Sequence, residues 1–164
     1  DGSDQPSTGS FLGVWQTMLW LLGGERIGLL RSSPAEVCET DWVSGALLMI
    51  RSEIVRKVGF LDENFFMYLE EMEWCYRIKK KGYSIYFLPE AKVLHKQLGS
   101  GNRSLAILNI YNGLVYFYKK HKSPFELWIV LAFLKIKALI ATLLGYIFNN
   151  SYLKNTYGKA LAIS

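Results

Sequence analysis

The feature that most constrains this chain is an apolar run of 24 residues, Phe125 to Phe148, near its C-terminal end. Pro124 directly before it suits the first turn of a helix, so the run predicts one long helix. Such a helix is long enough to cross a bilayer. However, Lys135 and Lys137 lie in its middle, about 200° apart around the axis. Three interpretations stay open: a helix lying in the membrane interface, a marginal spanning helix, and a helix packed on its own domain. We expect this helix to associate with a membrane, and we leave open whether it spans the bilayer.

Composition limits the class of protein. The chain has 164 residues, a length that fits one domain. Because 51% of the residues are hydrophobic and 15% are aromatic, we do not expect disorder over most of its length. The net charge is +5, with much of the positive charge between Lys79 and Lys137. Basic residues beside apolar helices favour an anionic membrane surface. No nucleic-acid-binding motif accompanies them, so nucleic acid is not expected as a partner. Cys38 and Cys75 lack the spacing of a disulfide framework or a zinc site.

Apolar periodicity and chain-breaking residues predict an α/β order of elements that ends in long helices. Residues 25–40 are expected to be irregular, and Gly59 and Gly82 are expected to end the helices before them. The predicted elements are a helix at 11–22, a strand at 43–50, helices at 52–58 and 68–81, strands at 83–88 and 91–95, and helices at 104–121 and 124–148.

The predicted helix at 68–81 carries three clustered glutamates on different faces. At 100° per residue, only Glu71 falls on the apolar, inward arc. A carboxylate in a partly desolvated pocket has a raised proton affinity, which suits a general base. The alternative is a glutamate that favours the helix dipole and points to solvent. The inward arc of about 120° holds Tyr68, Glu71, Trp74, Cys75 and Ile78, and the opposite side holds Glu70, Glu73, Arg77 and Lys80.

Other polar residues have ordinary structural interpretations beside functional ones. Glu73 and Arg77 have the i, i+4 spacing of a surface ion pair, which is worth a few tenths of a kcal/mol. His95 at a predicted strand end is a structural hydrogen-bonding group or a ligand. Asp62 and Glu63 fit turn chemistry.

One ordered series of motifs runs through residues 41–95. It resembles the inverting family 2 glycosyltransferases with a GT-A fold, and most closely the bacterial rhamnosyltransferase-like branch that builds surface polysaccharides. The resemblance implies a partial GT-A, Rossmann-like domain with a mixed sheet over residues 1–103, and a membrane-associated helical segment over 104–164. The series is Asp41-Trp42-Val43-Ser44-Gly45-Ala46, Arg51, Val58-Gly59-Phe60-Leu61-Asp62-Glu63-Asn64-Phe65-Phe66-Met67-Tyr68, Glu70-Glu71-Met72-Glu73-Trp74-Cys75-Tyr76-Arg77, Lys81-Gly82-Tyr83, Pro89-Glu90-Ala91 and His95.

The resemblance assigns a catalytic role and a metal role. The family carries an acidic pair at the start of this helix, and its second member removes the proton from the acceptor hydroxyl. That position is Glu71, where the family usually has Asp. Glu73 matches a further acidic position that can face the acceptor, although the helical periodicity places it opposite Glu71. His95 matches a histidine that completes the metal site in some members.

The resemblance also assigns residues that bind sugar. Trp42 to Ala46 look like the loop that lines the sugar pocket, with Trp42 and Gly45 as binding residues. Asp62 and Glu63 look like part of the acceptor loop.

The reaction implied by the resemblance is direct displacement at the anomeric carbon of a nucleotide-sugar donor. The acceptor would be a saccharide or a lipid-linked saccharide, in bacterial surface polysaccharide synthesis. A divalent metal, Mg²⁺ or Mn²⁺, would neutralise the departing diphosphate and be held mainly by an N-terminal half with an Asp-x-Asp motif. No Asp-x-Asp occurs in this sequence. We therefore expect a fragment that alone neither binds nucleotide sugar tightly nor turns over.

Two further expectations concern location and an alternative function. The expected location is the cytoplasmic face of the membrane, either peripheral or held by a single C-terminal helix. The alternative function is a non-catalytic, membrane-associated interaction module that kept the fold. The position of Glu71 discriminates between the two functions, because such a module has no need of a carboxylate on an inward helix face.

Overall fold

The computed structural model describes residues 4–24, 30–95 and 102–163. The chain divides into two compact units. Unit 1 comprises the described residues of 1–64 and 70–99, and unit 2 comprises those of 65–69 and 100–164. The predicted boundary between 103 and 104 remains a prediction, and the short segment 65–69 groups with the C-terminal helices.

The strands of unit 1 are short and form two small antiparallel sheets. Strand β1 pairs with both β2 and β4, and β3 pairs with β5 in the register Glu39 opposite Tyr86. Every pairing among the described strands is antiparallel, so the mixed sheet that we predicted is not what they form. The strands are β1 (Thr8–Gly9), β2 (Arg31–Ser32), β3 (Cys38–Thr40), β4 (Trp42–Val43) and β5 (Ile85–Phe87).

Two predicted strands of unit 1 are wrong in extent or in kind. The apolar run 43–50 is a strand only at its first residue, because Ser44 begins a turn in which its carbonyl accepts from Leu47 N at 3.4 Å. The side chain of Met49, in the same run, is 96% exposed. Residues 91–95 form no strand and are exposed. A short apolar run is compatible with several local structures, so its length alone does not identify a strand.

Three helices complete unit 1, close to their predicted positions. They are α1 (Val14–Leu21), α2 (Ser52–Val58) and α3 (Glu70–Lys80). Arg51 is the N-cap residue of α2, and Gly59 ends that helix with a φ of 89°. This left-handed conformation favours glycine.

Unit 2 contains three helices: α4 (Arg103–His121), α5 (Pro124–Ile147) and α6 (Ser151–Ala160). Local side chains begin each of them. Asn102 Oδ1 accepts from two backbone N–H groups of α4, and Asn150 Oδ1 accepts from Leu153 N of α6. Helix α5 starts with a capping box, because Ser123 Oγ accepts from Glu126 N and Glu126 Oε2 accepts from Ser123 N at 3.0 Å.

Tyr111 of α4 joins the three helices of unit 2. Its ring contacts the ring of Tyr157 in α6, with centroids 6.4 Å apart. Its hydroxyl donates to Leu134 O of α5 at 3.5 Å. Burial raises the pKa of Tyr111, so it remains a neutral donor. The segment 65–69 joins this core at Gly113, where a Cβ atom would lie 3.0 Å from the Leu69 side chain.

Candidate active site around Glu71

The first turn of α3 brings Glu71 to the turn that follows β4. Glu71 Oε1 lies 3.5 Å from Gly45 N. Glu71 Oε2 is buried and makes no hydrogen bond within the part of the chain that the structure describes. The side chain as a whole is half-buried. One oxygen of this carboxylate is therefore held loosely by a backbone N–H, and the other remains available as an acceptor.

The backbone directly before α3 has an unusual conformation. Tyr68 and Leu69 both have a φ of 72°, in the left-handed region that non-glycine residues rarely adopt. The helix that we predicted from Tyr68 therefore begins only at Glu70. Each such residue costs roughly 1–3 kcal/mol, and strain of this kind clusters at functional sites. Here it immediately precedes Glu70 and Glu71.

Glu70 does not point to solvent as the periodicity predicted. It is half-buried, and its Oε2 makes no hydrogen bond within the described residues. Burial, with a further contribution from the charge of Glu71, raises the pKa of Glu70 above its usual value. Glu70 and Glu71 therefore place two carboxyl groups in a poorly solvated environment at the start of α3, where one affects the ionisation of the other.

Glu73 is the fully buried glutamate of α3, which contradicts its predicted position on the outward face. Its side chain has no exposed surface. Arg77 Nε donates to both Glu73 oxygens, at 3.0 and 2.9 Å, so the predicted surface ion pair is a buried one. The four consecutive residues 72–75 are all buried, so α3 is enclosed around most of its circumference and has no single inward arc. A carboxylate enclosed in this way is not positioned to contact an acceptor.

Side chains of α3 bind the three successive carbonyl groups that follow α2. Arg77 donates through Nη1 to Val58 O at 2.7 Å and through Nη2 to Phe60 O at 2.6 Å. Trp74 Nε1 donates to Gly59 O between them at 2.8 Å. We call this arrangement the carbonyl clamp. Glu73 orients Arg77 within it, so the buried pair fixes the chain that leads into the predicted acceptor loop.

The predicted acceptor loop is a tight turn. Asp62 Oδ1 accepts from Asn64 N at 3.0 Å and from Asn64 Nδ2 at 2.7 Å, the pattern of an Asx-turn. Glu63 beside it is exposed. The turn chemistry expected from the sequence is present, and an acceptor role for Asp62 and Glu63 remains a prediction.

Trp42 and Gly45 have different surroundings, although both belong to the predicted sugar-pocket loop. Trp42 is buried in unit 1, where its Nε1 donates to Ser10 O at 3.1 Å. Its ring also lies 5.0 Å from the guanidinium carbon of Arg31. Gly45 is the residue that approaches Glu71. The structure thus brings Gly45 next to the candidate base, whereas Trp42 contacts Ser10 and Arg31.

His95 lies against the N-terminal segment. Its Nδ1 is 3.1 Å from Gln5 Oε1, and the residue is exposed. Within residues 4–24, 30–95 and 102–163, no group of three His, Cys, Asp or Glu residues is gathered closely enough to hold a metal ion. The described residues therefore do not form a metal site by themselves, and His95 as a ligand stays a prediction.

Lys79 stabilises the site in a way that the sequence pattern did not indicate. Its Nζ donates to Asp41 Oδ1 at 3.1 Å and to Thr40 O at 3.2 Å, and it lies 3.4 Å from Glu39 Oε1. Partial burial lowers the pKa of Lys79, but the hydrogen bonds and charges of Asp41 and Glu39 outweigh it and leave the pKa raised. Helix α3 is thereby tied to β3. Glu39, Thr40 and Asp41 precede Lys79 by about 40 residues, so no local sequence pattern indicates these contacts.

Part of this chain is similar to known sugar-transferring enzymes. No family model matches the chain, and no solved structure matches it. A low-salt glycan biosynthesis hexosyltransferase of Haloferax volcanii is 34% identical over 74 residues, which cover 43% of this chain and 24% of the relative. An N-acetylglucosaminyl-diphospho-decaprenol L-rhamnosyltransferase of Mycobacterium tuberculosis is 37% identical over 65 residues, covering 40% of this chain and 21% of the relative. The rhamnosyltransferase WbbL of Escherichia coli is 29% identical over 77 residues, 46% of this chain and 29% of its own length.

These relatives are glycosyltransferases, and they match over roughly 40% of the chain. They agree with the resemblance to a rhamnosyltransferase-like fragment of family 2. The matched segment spans between a fifth and a third of the length of each of these relatives.

Proposed function

We propose that this chain is the acceptor-side part of an inverting glycosyltransferase in surface polysaccharide synthesis. The sugar would come from a nucleotide-sugar donor. The observation that carries the proposal is the position of Glu71, which has one oxygen near Gly45 N and the other buried without a hydrogen bond among the described residues. The relatives named as hexosyl- and rhamnosyltransferases support the reaction class.

In the proposed reaction, Glu71 acts as the general base. Its free oxygen takes the proton of an acceptor hydroxyl. The hydroxyl oxygen then forms a bond to the anomeric carbon as the bond from that carbon to the diphosphate oxygen breaks, and the nucleoside diphosphate leaves with the bonding electrons. Attack opposite the leaving group inverts the anomeric configuration. The half-buried position of Glu71 limits competing solvation of the base.

The acceptor that we propose is a saccharide, either free or linked to a lipid through a diphosphate. The name of the mycobacterial relative specifies a lipid-linked acceptor of this kind. The short Asx-turn at Asp62, held in place by the carbonyl clamp upstream, would form one wall of the acceptor site. We assign Glu73 to the clamp and not to acceptor binding, because its carboxylate is enclosed.

A divalent metal, Mg²⁺ or Mn²⁺, remains part of the proposal only as a charge partner for the departing diphosphate. The described residues do not supply a complete ligand set, so no step above depends on it. The non-catalytic interaction module is not favoured, because the relatives are named as transferases.

The reaction class can be tested on the longest polypeptide that contains these 164 residues. Nucleotide sugars would be supplied with a lipid-linked saccharide acceptor, and the anomeric configuration of the product would be read by NMR. We expect a product whose configuration is opposite to that of the donor. Retention of configuration would contradict the direct displacement. For the 164 residues alone, tight metal-dependent binding of a nucleoside diphosphate in calorimetry would contradict their assignment to the acceptor side.

A further inference from the structure

Helix α5 exposes a long apolar face. Among the described residues, it is the one helix long and apolar enough to cross a membrane by length and composition, and 17% of its most apolar window is buried within the protein. At 100° per residue, six exposed side chains lie within an arc of about 80° along nearly its full length. We call this arc the exposed α5 face, and its residues are Phe125, Trp128, Ile136, Leu139, Leu143 and Tyr146.

The opposite face of α5 is packed inside unit 2. Val130, Leu134 and Ala138 have no exposed surface, and they lie about 160° around the helix from the exposed α5 face. Packing within unit 2 therefore uses one stripe of α5 and leaves the other uncovered. An exposed apolar surface of this extent usually marks an interaction site.

The charge of unit 2 identifies the kind of partner. Residues 103–163 contain eight lysines and arginines but a single acidic residue, Glu126, so this part of the chain carries a net charge of +7. Because the whole chain carries +5, residues 1–102 carry −2. Lys135 is exposed at one edge of the exposed α5 face. An apolar face with cationic side chains in the same unit complements an anionic lipid surface.

The position of helix α6 indicates whether α5 lies in the membrane interface or crosses the bilayer. A Cβ atom on Gly145 would lie 2.7 Å from Lys154 N, so α6 begins beside the C-terminal end of α5. Tyr157 then meets Tyr111, whose hydroxyl reaches Leu134 O. Helix α6 therefore folds back along α5 toward its middle.

A spanning α5 would carry α6 into the hydrocarbon core. Lys154, Asn155 and Lys159 of α6 would enter together with Lys135 and Lys137 of α5. Charged side chains near the centre of a bilayer are costly, so a spanning orientation of α5 is disfavoured. A helix that lies flat buries only the exposed α5 face, keeps Lys135 at the edge of that face near the headgroups, and leaves α6, which packs beside Gly145 on the other side of α5, outside the hydrocarbon core.

We propose that unit 2 binds an anionic membrane surface through the exposed α5 face, with α5 parallel to the membrane plane. This proposal does not depend on the proposed sugar transfer, because vesicle binding is measured without turnover.

The test is sedimentation of the chain with vesicles of phosphatidylcholine alone and of phosphatidylcholine with phosphatidylglycerol. We expect binding to the anionic vesicles, weakened by salt, and release by carbonate at high pH. Leu139→Asp should weaken binding by about tenfold or more, since it places a charge on the exposed α5 face, which the membrane would cover. Met49→Asp is the matched control, because it makes the same charge change at a 96% exposed apolar residue of unit 1. It should bind like the unchanged chain.

Three results would overturn the proposal. Equal loss of binding in both variants would show that charge alone, and not the exposed α5 face, determines binding. Retention in the membrane after carbonate treatment would show that α5 spans. A dimer in sedimentation velocity that Leu139→Asp dissociates, together with no vesicle binding, would show that the face is covered by a second copy of the chain.

Discussion

Removal of the Arg77 guanidinium tests whether the carbonyl clamp stabilises the fold through buried interactions. Arg77→Ala would break the ion pair of the enclosed Glu73 carboxylate and remove the Arg77 donors to the carbonyl groups of Val58 and Phe60. Breaking a buried ion pair from one side costs about 3–5 kcal/mol. Each carbonyl that loses its hydrogen bond adds about 1 kcal/mol. We therefore expect a loss of roughly 5–7 kcal/mol in the free energy of unfolding.

The assay is urea unfolding followed by tryptophan fluorescence. Four of the five tryptophans, Trp15, Trp20, Trp42 and Trp74, lie in unit 1, so the signal reports mainly on the unit that holds the clamp. A loss of this size approaches the whole stability of a small domain. Arg77→Lys therefore provides a milder variant. It keeps the positive charge but loses the guanidinium group that donates to two carbonyls, and we expect a loss of about 1–3 kcal/mol.

Two controls make the result specific. Arg51→Ala breaks an exposed pair with Glu53 at 3.9 Å and should cost less than about 1 kcal/mol. Combining Arg77→Ala with Glu73→Gln removes the buried negative charge together with the guanidinium, and should recover part of the loss. If Arg77→Ala costs no more than Arg51→Ala, Glu73 is solvated on the outward face of α3 and the clamp does not exist.

The remaining predictions concern packing and pH. Gly145→Ala places a Cβ atom 2.7 Å from Lys154 N and should lower the free energy of unfolding of unit 2 by about 1–3 kcal/mol in thermal melts followed by circular dichroism. Gly158→Ala, where nothing lies within 4 Å, should instead raise it slightly, and equal effects would contradict the close approach of α5 and α6. Burial and the charge of Glu71 raise the pKa of Glu70 above its ordinary value of 4.5. Ionisation of Glu70 therefore costs more in the folded state than in the unfolded state, and it destabilises the fold as the pH rises above 4.5. Glu70→Gln should therefore stabilise the chain at pH 7 and lose this advantage below pH 4 in urea unfolding, whereas a gain independent of pH would contradict the burial of Glu70.

Helical periodicity predicted five of the six helices among the described residues, because it depends on local sequence, but it did not predict α6. The predicted helix at 104–121 corresponds to α4, and the one at 124–148 corresponds to α5, each with a recognisable capping residue. The strand predicted at 43–50 failed, because Ser44 and Gly45 form a turn inside an otherwise apolar run. Turn chemistry at these two residues was the available signal.

The glutamates of α3 show why part of the candidate site could not be predicted from the sequence. The periodicity correctly placed Trp74 and Cys75 in the core, but it assumed one inward face. Glu73 is buried because Arg77 neutralises it while reaching carbonyl groups about 17 to 19 residues away. No local pattern encodes that reach. An i, i+4 Glu–Arg pair looks the same in the sequence whether it is exposed or buried.

The role of Glu71 as general base is tested most directly by Glu71→Gln in the longest polypeptide that contains these residues. The rate of sugar transfer and the affinity for the donor would be measured together, with Glu36→Gln as the control for the same change at an exposed residue. Loss of a general base lowers the rate by about 10²–10⁴-fold. We predict a loss of this size with unchanged donor affinity for Glu71→Gln, and no loss for Glu36→Gln. Undiminished transfer by Glu71→Gln would contradict the proposed mechanism.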